Sequence, residues 1–199
     1  MIDALVWIDC EMTGLDVAHD ALIEVAVQVT DGNLNPLGEG IDIVISAPEE
    51  TLDSMGDFVR DMHTNSGLLD EVRASQVTLR EAEQQVLAYV KSVVPTAGKA
   101  PIAGNTIGTD RTFLARYMPE LESYLHYRSI DVSSIKELAK RWYPKVFYAA
   151  PSKHGNHRAL ADIMESIAEL AYYRATVFVA PPGPTTEEAQ AVAAAQTRG

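Results

Sequence analysis

Two acidic residues, Asp9 and Glu11, stand at the end of an apolar run at residues 5–8. Such a run is typical of a buried β-strand, in which alternate side chains share a face, so both carboxylates should point the same way. Two like charges on one buried face cost free energy unless a cation meets them, and carboxylate oxygens suit Mg²⁺ or Mn²⁺. A salt bridge would explain one such acid, but the pair, followed at once by Thr13 and Gly14, favours a metal site.

Two further acids and a histidine lie far along the chain. Asp110 follows a glycine-bearing loop at the expected start of a helix, where a helix N-cap would explain it about as well as a catalytic role. Asp162 lies five residues after His157, near the expected start of the last long helix. Five helical positions separate two side chains by about 140°, so these two converge only if His157 precedes the helix or occupies its first position. The adjacent Gly155 and Asn156 are compatible with a loop there.

The hydrophobic pattern predicts the elements that must position these residues. Three segments with strand-like alternation come first and predict an antiparallel meander: residues 4–12, 21–30 and 40–46. Helical patterns then alternate with short apolar strands. We expect helices within 49–75 and over 78–94, 111–117, 133–142 and 157–178, and strands at 101–104 and 129–132. This order predicts an α/β fold, with a mixed sheet flanked by helices.

Length, composition and charge limit the class of protein. The 199 residues suit one domain, expected at 1–180, followed by a mobile Pro- and Ala-rich tail at 181–199. No apolar run approaches about 18 residues and no signal peptide is apparent, so we expect a cytoplasmic protein with no membrane partner. Cys10 is the only cysteine, which excludes an intramolecular disulfide and a cysteine-based zinc cluster. The net charge of −12 argues against binding long duplex nucleic acid, although it permits a nuclease whose positive charge comes from bound cations.

Three motifs occur in a recognisable order: Asp-x-Glu on the first strand, a later Asp at a helix start, and His-x4-Asp near the C-terminus. Together they resemble the DEDD superfamily of 3′→5′ exonucleases, in its histidine-bearing branch. The five catalytic positions of that branch are matched here by Asp9, Glu11, Asp110, His157 and Asp162. The resemblance to the oligoribonuclease family covers roughly residues 3–178 and rests on the segments 7–15, 104–111, 117–121, 126–133 and 169–174.

This resemblance implies an RNase H-like exonuclease fold and a metal-dependent exoribonuclease that converts very short RNA, especially dinucleotides, to 5′-mononucleotides. It implies two divalent cations, Mg²⁺ or Mn²⁺, held by four acids, of which Asp9 bridges both ions: Asp9, Glu11, Asp110 and Asp162. His157 would be the general base that takes a proton from the attacking water, a task that suits a side-chain pKa of about 6.5.

The resemblance also implies how a short RNA is held. Leu15 and Phe58 would sandwich the bases, although the family often has tryptophan at the second position and both residues could instead belong to the core. Four polar side chains would hold the terminal 5′ phosphate: His63, Thr106, Arg128 and Ser133. The family works as a homodimer, and Tyr127 would enter the active site of the neighbouring subunit.

Two other functions fit the sequence less well. A DNA-proofreading or tRNA-trimming exonuclease of the same superfamily would hydrolyse long single strands, which the low content of basic residues disfavours. A catalytically inactive binding or scaffold domain is disfavoured because an idle cluster of carboxylates destabilises a fold.

Overall fold

The computed structural model describes residues 3–152 and 158–196, which contain a five-stranded sheet. Its strands are β1 (Leu5–Met12), β2 (Leu22–Thr30), β3 (Ile41–Val44), β4 (Pro101–Gly104) and β5 (His126–Asp131). Across the sheet the order is β3-β2-β1-β4-β5. Strand β2 pairs antiparallel with β1 and β3, whereas β1 with β4 and β4 with β5 are parallel. The predicted meander and mixed sheet are confirmed.

Helices connect and cover the strands. Within the described residues they are α1 (Glu49–Asp53), α2 (Asp57–Asn65), α3 (Leu68–Ala74), α4 (Leu79–Val93), α5 (Gly108–Tyr117), α6 (Pro119–Tyr124), α7 (Val132–Trp142), α8 (Pro144–Tyr148), α9 (Ala159–Thr176) and α10 (Thr186–Gln196). None of the helices in this described part is long and apolar enough to cross a membrane.

The alternation of side chains along β1 divides them between two hydrophobic cores. Val6 and Ile8 pack with residues of α4, α5 and α6 on one face of the sheet. Trp7 is fully buried on the other face, with residues of α7 and α9. Because Asp9 and Glu11 continue the alternation that Trp7 begins, both carboxylates lie on the face that α9 covers.

On the face of the sheet opposite to α9, two carboxylates bind backbone N–H groups at the starts of α4 and α6. The expected capping box at Thr78 is present: its side chain accepts from the backbone N–H of Glu81, whose carboxylate accepts from the N–H of Thr78. Glu83, buried on α4, accepts from the N–H groups of Glu120 and Leu121 at 2.7 and 3.3 Å. This contact satisfies backbone donors at the start of α6 and fixes that helix against α4.

Several boundaries differ from the expectation. Helix α5 begins at Gly108 rather than at Arg111, and β5 begins at His126 rather than at Ser129. Glycine and threonine have low helix propensity, so tertiary contacts outweigh local preference at the start of α5. Helix α8 was not expected; Pro144 occupies its first turn, where the missing N–H costs nothing.

The C-terminal segment contains α10. Thr185 and Glu188 exchange hydrogen bonds at its start, and none of the residues of α10 is buried. The domain boundary at residue 180 and the mobility of residues 181–199 stay predictions.

Candidate active site and metal centre

Three acidic side chains from two elements meet beside β1. One carboxylate oxygen from each of Asp9, Glu11 and Asp162 lies within 4.8 Å of the other two. Strand β1 supplies the first two, and the first turn of α9 supplies the third. Hard oxygen donors at this spacing fit the ligand chemistry of Mg²⁺ or Mn²⁺. The structure thus brings the strand acids and Asp162 together, and their role as metal ligands stays a prediction.

Small side chains allow α9 to approach the sheet closely enough for this convergence. Ala159 at the start of α9 and Ala26 on β2 are fully buried in the same core. A Cβ atom at Gly40 would lie only 3.0 Å from the Leu160 side chain. Because the start of α9 lies against the sheet, the carboxylate of Asp162 lies close to those of Asp9 and Glu11.

Asp110 reaches the same strand from α5. Its Oδ1 accepts a hydrogen bond from the N–H of Cys10 at 3.0 Å, and Cys10 lies between the two β1 acids in sequence. Asp110 is the third residue of α5, whose N-cap is Ile107. The N-cap explanation of Asp110 is therefore wrong, and the carboxylate is instead directed at β1.

Burial and mutual repulsion raise the pKa values of these carboxyls. Burial, followed by the charges of Asp110, Glu11 and Asp162, raises the pKa of Asp9 to about 9. Burial is also the main reason that the pKa of Glu11 rises to about 8, a rise that the charge of Arg158 opposes. Burial likewise raises the pKa of Asp110 to about 7. These carboxyls resist ionisation in the metal-free fold, and a bound divalent cation would stabilise their ionised forms.

These pKa values predict a pH-dependent stability without metal. A carboxyl whose pKa is raised on folding contributes stability that is present below its unfolded pKa of about 4 and is lost as pH rises through its folded pKa. The Tm in EDTA should therefore fall between pH 5 and pH 9. Mg²⁺ should raise the Tm more at pH 8.5 than at pH 5.5. At pH 8.5 the rise should be about 5–10 °C when the Mg²⁺ concentration is about 100 Kd.

Calorimetric scans at each pH, with NaCl of equal ionic strength as the control for screening, provide the measurement. A metal-free Tm that stays constant from pH 5 to pH 9 would contradict the raised pKa values.

Two apolar side chains proposed to contact bases are held in solvent. Leu15 is 78% exposed and Phe58 is 81% exposed. The alternative that they are core residues is therefore wrong. Their contact with RNA stays a prediction.

Asp20 shapes the loop that presents Leu15. Its carboxylate accepts from Thr13 Oγ1 at 3.1 Å and from the N–H of Asp16 at 2.8 Å. A Cβ at Gly14 would lie 2.4 Å from that carboxylate, so any other residue at this position would have to displace the Asp20 side chain. The loop is thus closed around Asp20, and Leu15 is left outside it.

Thr106, in the loop before α5, contacts Ser133 in the first turn of α7. Their hydroxyl oxygens are 3.1 Å apart, and Thr106 N–H donates to Ser133 Oγ and to Asp131 Oδ1, both at 3.0 Å. Thr106 has a φ of 53°, in the left-handed region that non-glycine residues seldom occupy. Asp131 also accepts from the N–H of Ser133 at 2.9 Å. These bonds hold two hydroxyls side by side, and their contact with phosphate stays a prediction.

Tyr127 and Arg128 lie at the start of β5, and both are exposed. The Tyr127 side chain is 73% exposed; its ring stacks on His126, and the Arg128 guanidinium lies 5.4 Å from the ring centroid. Neither side chain contributes to a core, so both are available to a ligand or a second subunit.

Arg111 holds this exposed segment in place. Its guanidinium donates to the carbonyl oxygens of His126 and Tyr127 at 3.1 and 3.0 Å and to Glu122 Oε1 at 2.8 Å. Because Arg111 directly follows Asp110, the helix that carries one acid also fixes the backbone beneath Tyr127. Neither Arg111 nor Asp20 was predicted to have a role. The available signal was proximity in sequence, since Arg111 directly follows Asp110 and Asp20 lies five residues after Leu15.

His63 lies beneath the site rather than at its surface. It is fully buried, and Nε2 donates to the carbonyl of Met12 at 2.9 Å, while Nδ1 lies 3.9 Å from Glu11 Oε2. From this position His63 supports β1 close to the acids, and its predicted contact with phosphate stays a prediction. His157 falls outside the described residues, so its predicted role as base also stays a prediction.

Comparison with known proteins gives close relatives. A model of the family described as exonuclease matches residues 6–170. The oligoribonuclease of Streptomyces griseus is 63% identical over 194 residues, which cover 98% of this chain and 96% of the relative. The oligoribonuclease of Rhodococcus jostii is 64% identical over 192 residues, covering 96% of each chain.

Solved structures show the same fold at low sequence identity. The zinc-bound complex of E. coli exonuclease I with single-stranded DNA superposes with a TM-score of 0.67 at 18% identity over 89% of this chain. The present chain spans only 41% of that exonuclease I chain, so the likeness concerns the fold alone. The expectation of an exonuclease-type, RNase H-like α/β fold is confirmed.

Proposed function

The chain belongs to the exonuclease family and, within it, to the oligoribonucleases, and from this membership we propose that it hydrolyses very short RNA. As a 3′→5′ exoribonuclease it would release 5′-mononucleotides, with dinucleotides as the preferred substrates. The observation in the molecule that best supports this proposal is the convergence of Asp9, Glu11 and Asp162, with Asp110 bonded to the same strand.

We propose that four carboxylates hold two divalent cations, Mg²⁺ or Mn²⁺, and that Asp9 is a ligand of both: Asp9, Glu11, Asp110 and Asp162. Bound cations would supply charge stabilisation for the oxygens of the phosphodiester during an in-line displacement. The carboxylates themselves are oriented in advance by β1, by the Cys10 N–H and by the first turn of α9. His157 is proposed to accept the proton of the attacking water.

Substrate binding is proposed for a set of side chains around this centre. Leu15 and Phe58 offer exposed apolar surface to the bases. Hydroxyls and charged or imidazole groups are proposed to hold the terminal 5′ phosphate: His63, Thr106, Arg128 and Ser133. A site closed around that phosphate would favour dinucleotides, and a substrate this short needs few cationic contacts, in keeping with a chain of net charge −12.

We also propose that the protein is a homodimer and that it acts in the cytoplasm. Support comes from the exposed Tyr127, which Arg111 holds in place from below and which could reach a second copy of the chain. The single cysteine suits a reducing compartment.

Incubation with 5′-labelled RNAs of two to ten nucleotides and with a DNA dinucleotide, each with Mn²⁺ or with EDTA, tests the function. Fast cleavage of the RNA dinucleotide with Mn²⁺, slower cleavage of longer RNAs and no cleavage in EDTA are expected. Preferential hydrolysis of the longest strands, or of DNA, would favour the proofreading or tRNA-trimming alternative. Cleavage that persists in EDTA would contradict the use of metal.

Arg128→Ala should slow cleavage of a 5′-phosphorylated dinucleotide by about 10–100-fold, since a charge-assisted hydrogen bond contributes about 1.5–3 kcal/mol. The measurement is kcat/KM for the dinucleotide with and without its 5′ phosphate. The loss should largely disappear when that phosphate is absent.

Arg141→Ala is the matched control, because Arg141 is an exposed arginine on α7 that pairs with Glu137. Equal losses in the two variants, or an equal loss on both substrates, would contradict the phosphate site.

A further inference from the structure

A buried carboxylate that the proposed mechanism does not use lies directly opposite one of the site acids. Glu24 on β2 is the antiparallel partner of Glu11 and is fully buried. A buried charge is costly unless it is paired and hydrogen-bonded, so its partners show what the residue does.

Both oxygens of Glu24 bind the segment that begins α9. Oε2 accepts the backbone N–H of Ala159 at 3.1 Å, and Oε1 accepts Arg158 Nε at 3.0 Å and lies 2.9 Å from Arg158 Nη2. Arg158 is the N-cap residue of α9 and makes no side-chain cap of its own. Glu24 therefore supplies, from another element, the acceptor that a helix start needs.

Arg158 is held from its other side as well. Its Nη1 and Nη2 donate to the two oxygens of Glu71 on α3, both at 2.8 Å. The planar guanidinium is thus clamped between a buried and a partly exposed carboxylate, which fixes its orientation.

Arg158, which is held by Glu24 and Glu71, is bonded through its backbone to one of the site acids. The carbonyl of Arg158 accepts the N–H of Asp162 at 3.0 Å, the hydrogen bond that closes the first turn of α9. Asp162 is the site acid that does not come from β1 or α5, and its position depends on where α9 begins.

We propose that Glu24 and Arg158 are positioning residues that fix the first turn of α9 against β2 and so hold Asp162 beside Asp9 and Glu11. The inference rests on the proposed metal centre. Neither residue needs to touch substrate or metal to act in this way.

An effect of charge alone and an effect of positioning predict opposite changes in the affinity of Arg158→Met for a divalent cation. Arg158 is a cation close enough to act on the charge of Glu11, so removing it would by electrostatics alone strengthen binding of a divalent cation. Loss of positioning should instead weaken binding, by about 10–100-fold, as is typical when a residue that orients a metal ligand is removed.

The experiment is calorimetric titration of the full chain with Mn²⁺, without substrate, together with thermal unfolding of each variant. Arg73→Met is the matched control, because Arg73 forms a similar two-oxygen pair with Glu49 on the surface. The Arg158 variant should bind Mn²⁺ more weakly than the wild type, whereas the Arg73 variant should bind it normally. Unchanged or tighter Mn²⁺ binding in Arg158→Met would overturn the inference.

Arg158→Lys decides the matter if the methionine variant does not fold. It keeps the charge but cannot span two carboxylates, so Mn²⁺ affinity should fall; wild-type affinity in this variant would overturn the inference. Because the titration contains no RNA, a wild-type protein that binds Mn²⁺ but leaves RNA intact would refute the proposed function alone.

Discussion

Asp9→Asn should reduce kcat on an RNA dinucleotide by about 10³-fold or more. Cations held beside the reacting phosphate contribute several kcal/mol of charge stabilisation, and about 1.4 kcal/mol corresponds to each tenfold in rate. Among Asp9, Glu11 and Asp110, Asp9 has the most strongly raised pKa, about 9, because burial and three neighbouring site acids act on it together. An amide has the same shape but cannot supply the negative charge that favours binding of a divalent cation.

The same substitution should leave the metal-free protein at least as stable as the wild type at pH 8, because Asp9, with a folded pKa of about 9, must take up a proton on folding at that pH and an amide need not. Steady-state kinetics with saturating Mn²⁺ and thermal unfolding in EDTA provide the two measurements. Asp70→Asn is the control, since the Asp70 side chain is 92% exposed on α3. Near wild-type kcat for Asp9→Asn would remove Asp9 from the metal centre.

His157→Ala should lower kcat by about 10²–10⁴-fold while metal affinity stays within a few-fold of the wild type. A general base contributes to the proton transfer and not to holding the ions, so turnover and Mn²⁺ binding should separate. The expectation rests on the His-x4-Asp spacing and on Asp162, which the structure brings to the other acids.

Single-turnover cleavage and Mn²⁺ titration of the same preparation provide the measurements. His154→Ala is the control, because it removes a histidine from the same stretch of sequence. A near wild-type rate in His157→Ala would mean that another group accepts the proton.

Local pattern was enough to predict the half of the site that β1 provides. Strand alternation requires Asp9 and Glu11 to share a face, whatever the rest of the chain does, and the structure has them on the face that α9 covers. The meander and the capping box at Thr78 were also predictable, because each depends on residues that are near in sequence.

Contacts between distant residues could not be predicted in this way. The partner that directs Asp110 toward β1 is the N–H of Cys10, 100 residues earlier, and nothing local indicates it. Ala159 is bonded to Glu24 across 135 residues. Sequence spacing indicated that Asp162 belonged to the site but gave no reason for the position of α9.

His63 illustrates the same limit for a single side chain. The family resemblance implied that it contacts the terminal phosphate, whereas nothing in the sequence indicated that its helix packs with the imidazole fully buried against Met12. Burial of one face of a short helix is decided by the elements around it, and these lie elsewhere in the sequence.

We expect four acids from three elements to bind two divalent cations, with Asp9 as a ligand of both. Anomalous diffraction from crystals grown with Mn²⁺ and a poorly hydrolysed dinucleotide tests it most directly. We expect two Mn²⁺ peaks, both with Asp9 as a ligand, and with Glu11, Asp110 and Asp162 completing their coordination directly or through water. Mn²⁺ bound elsewhere, or Asp110 or Asp162 turned away from the ions in the substrate complex, would contradict it.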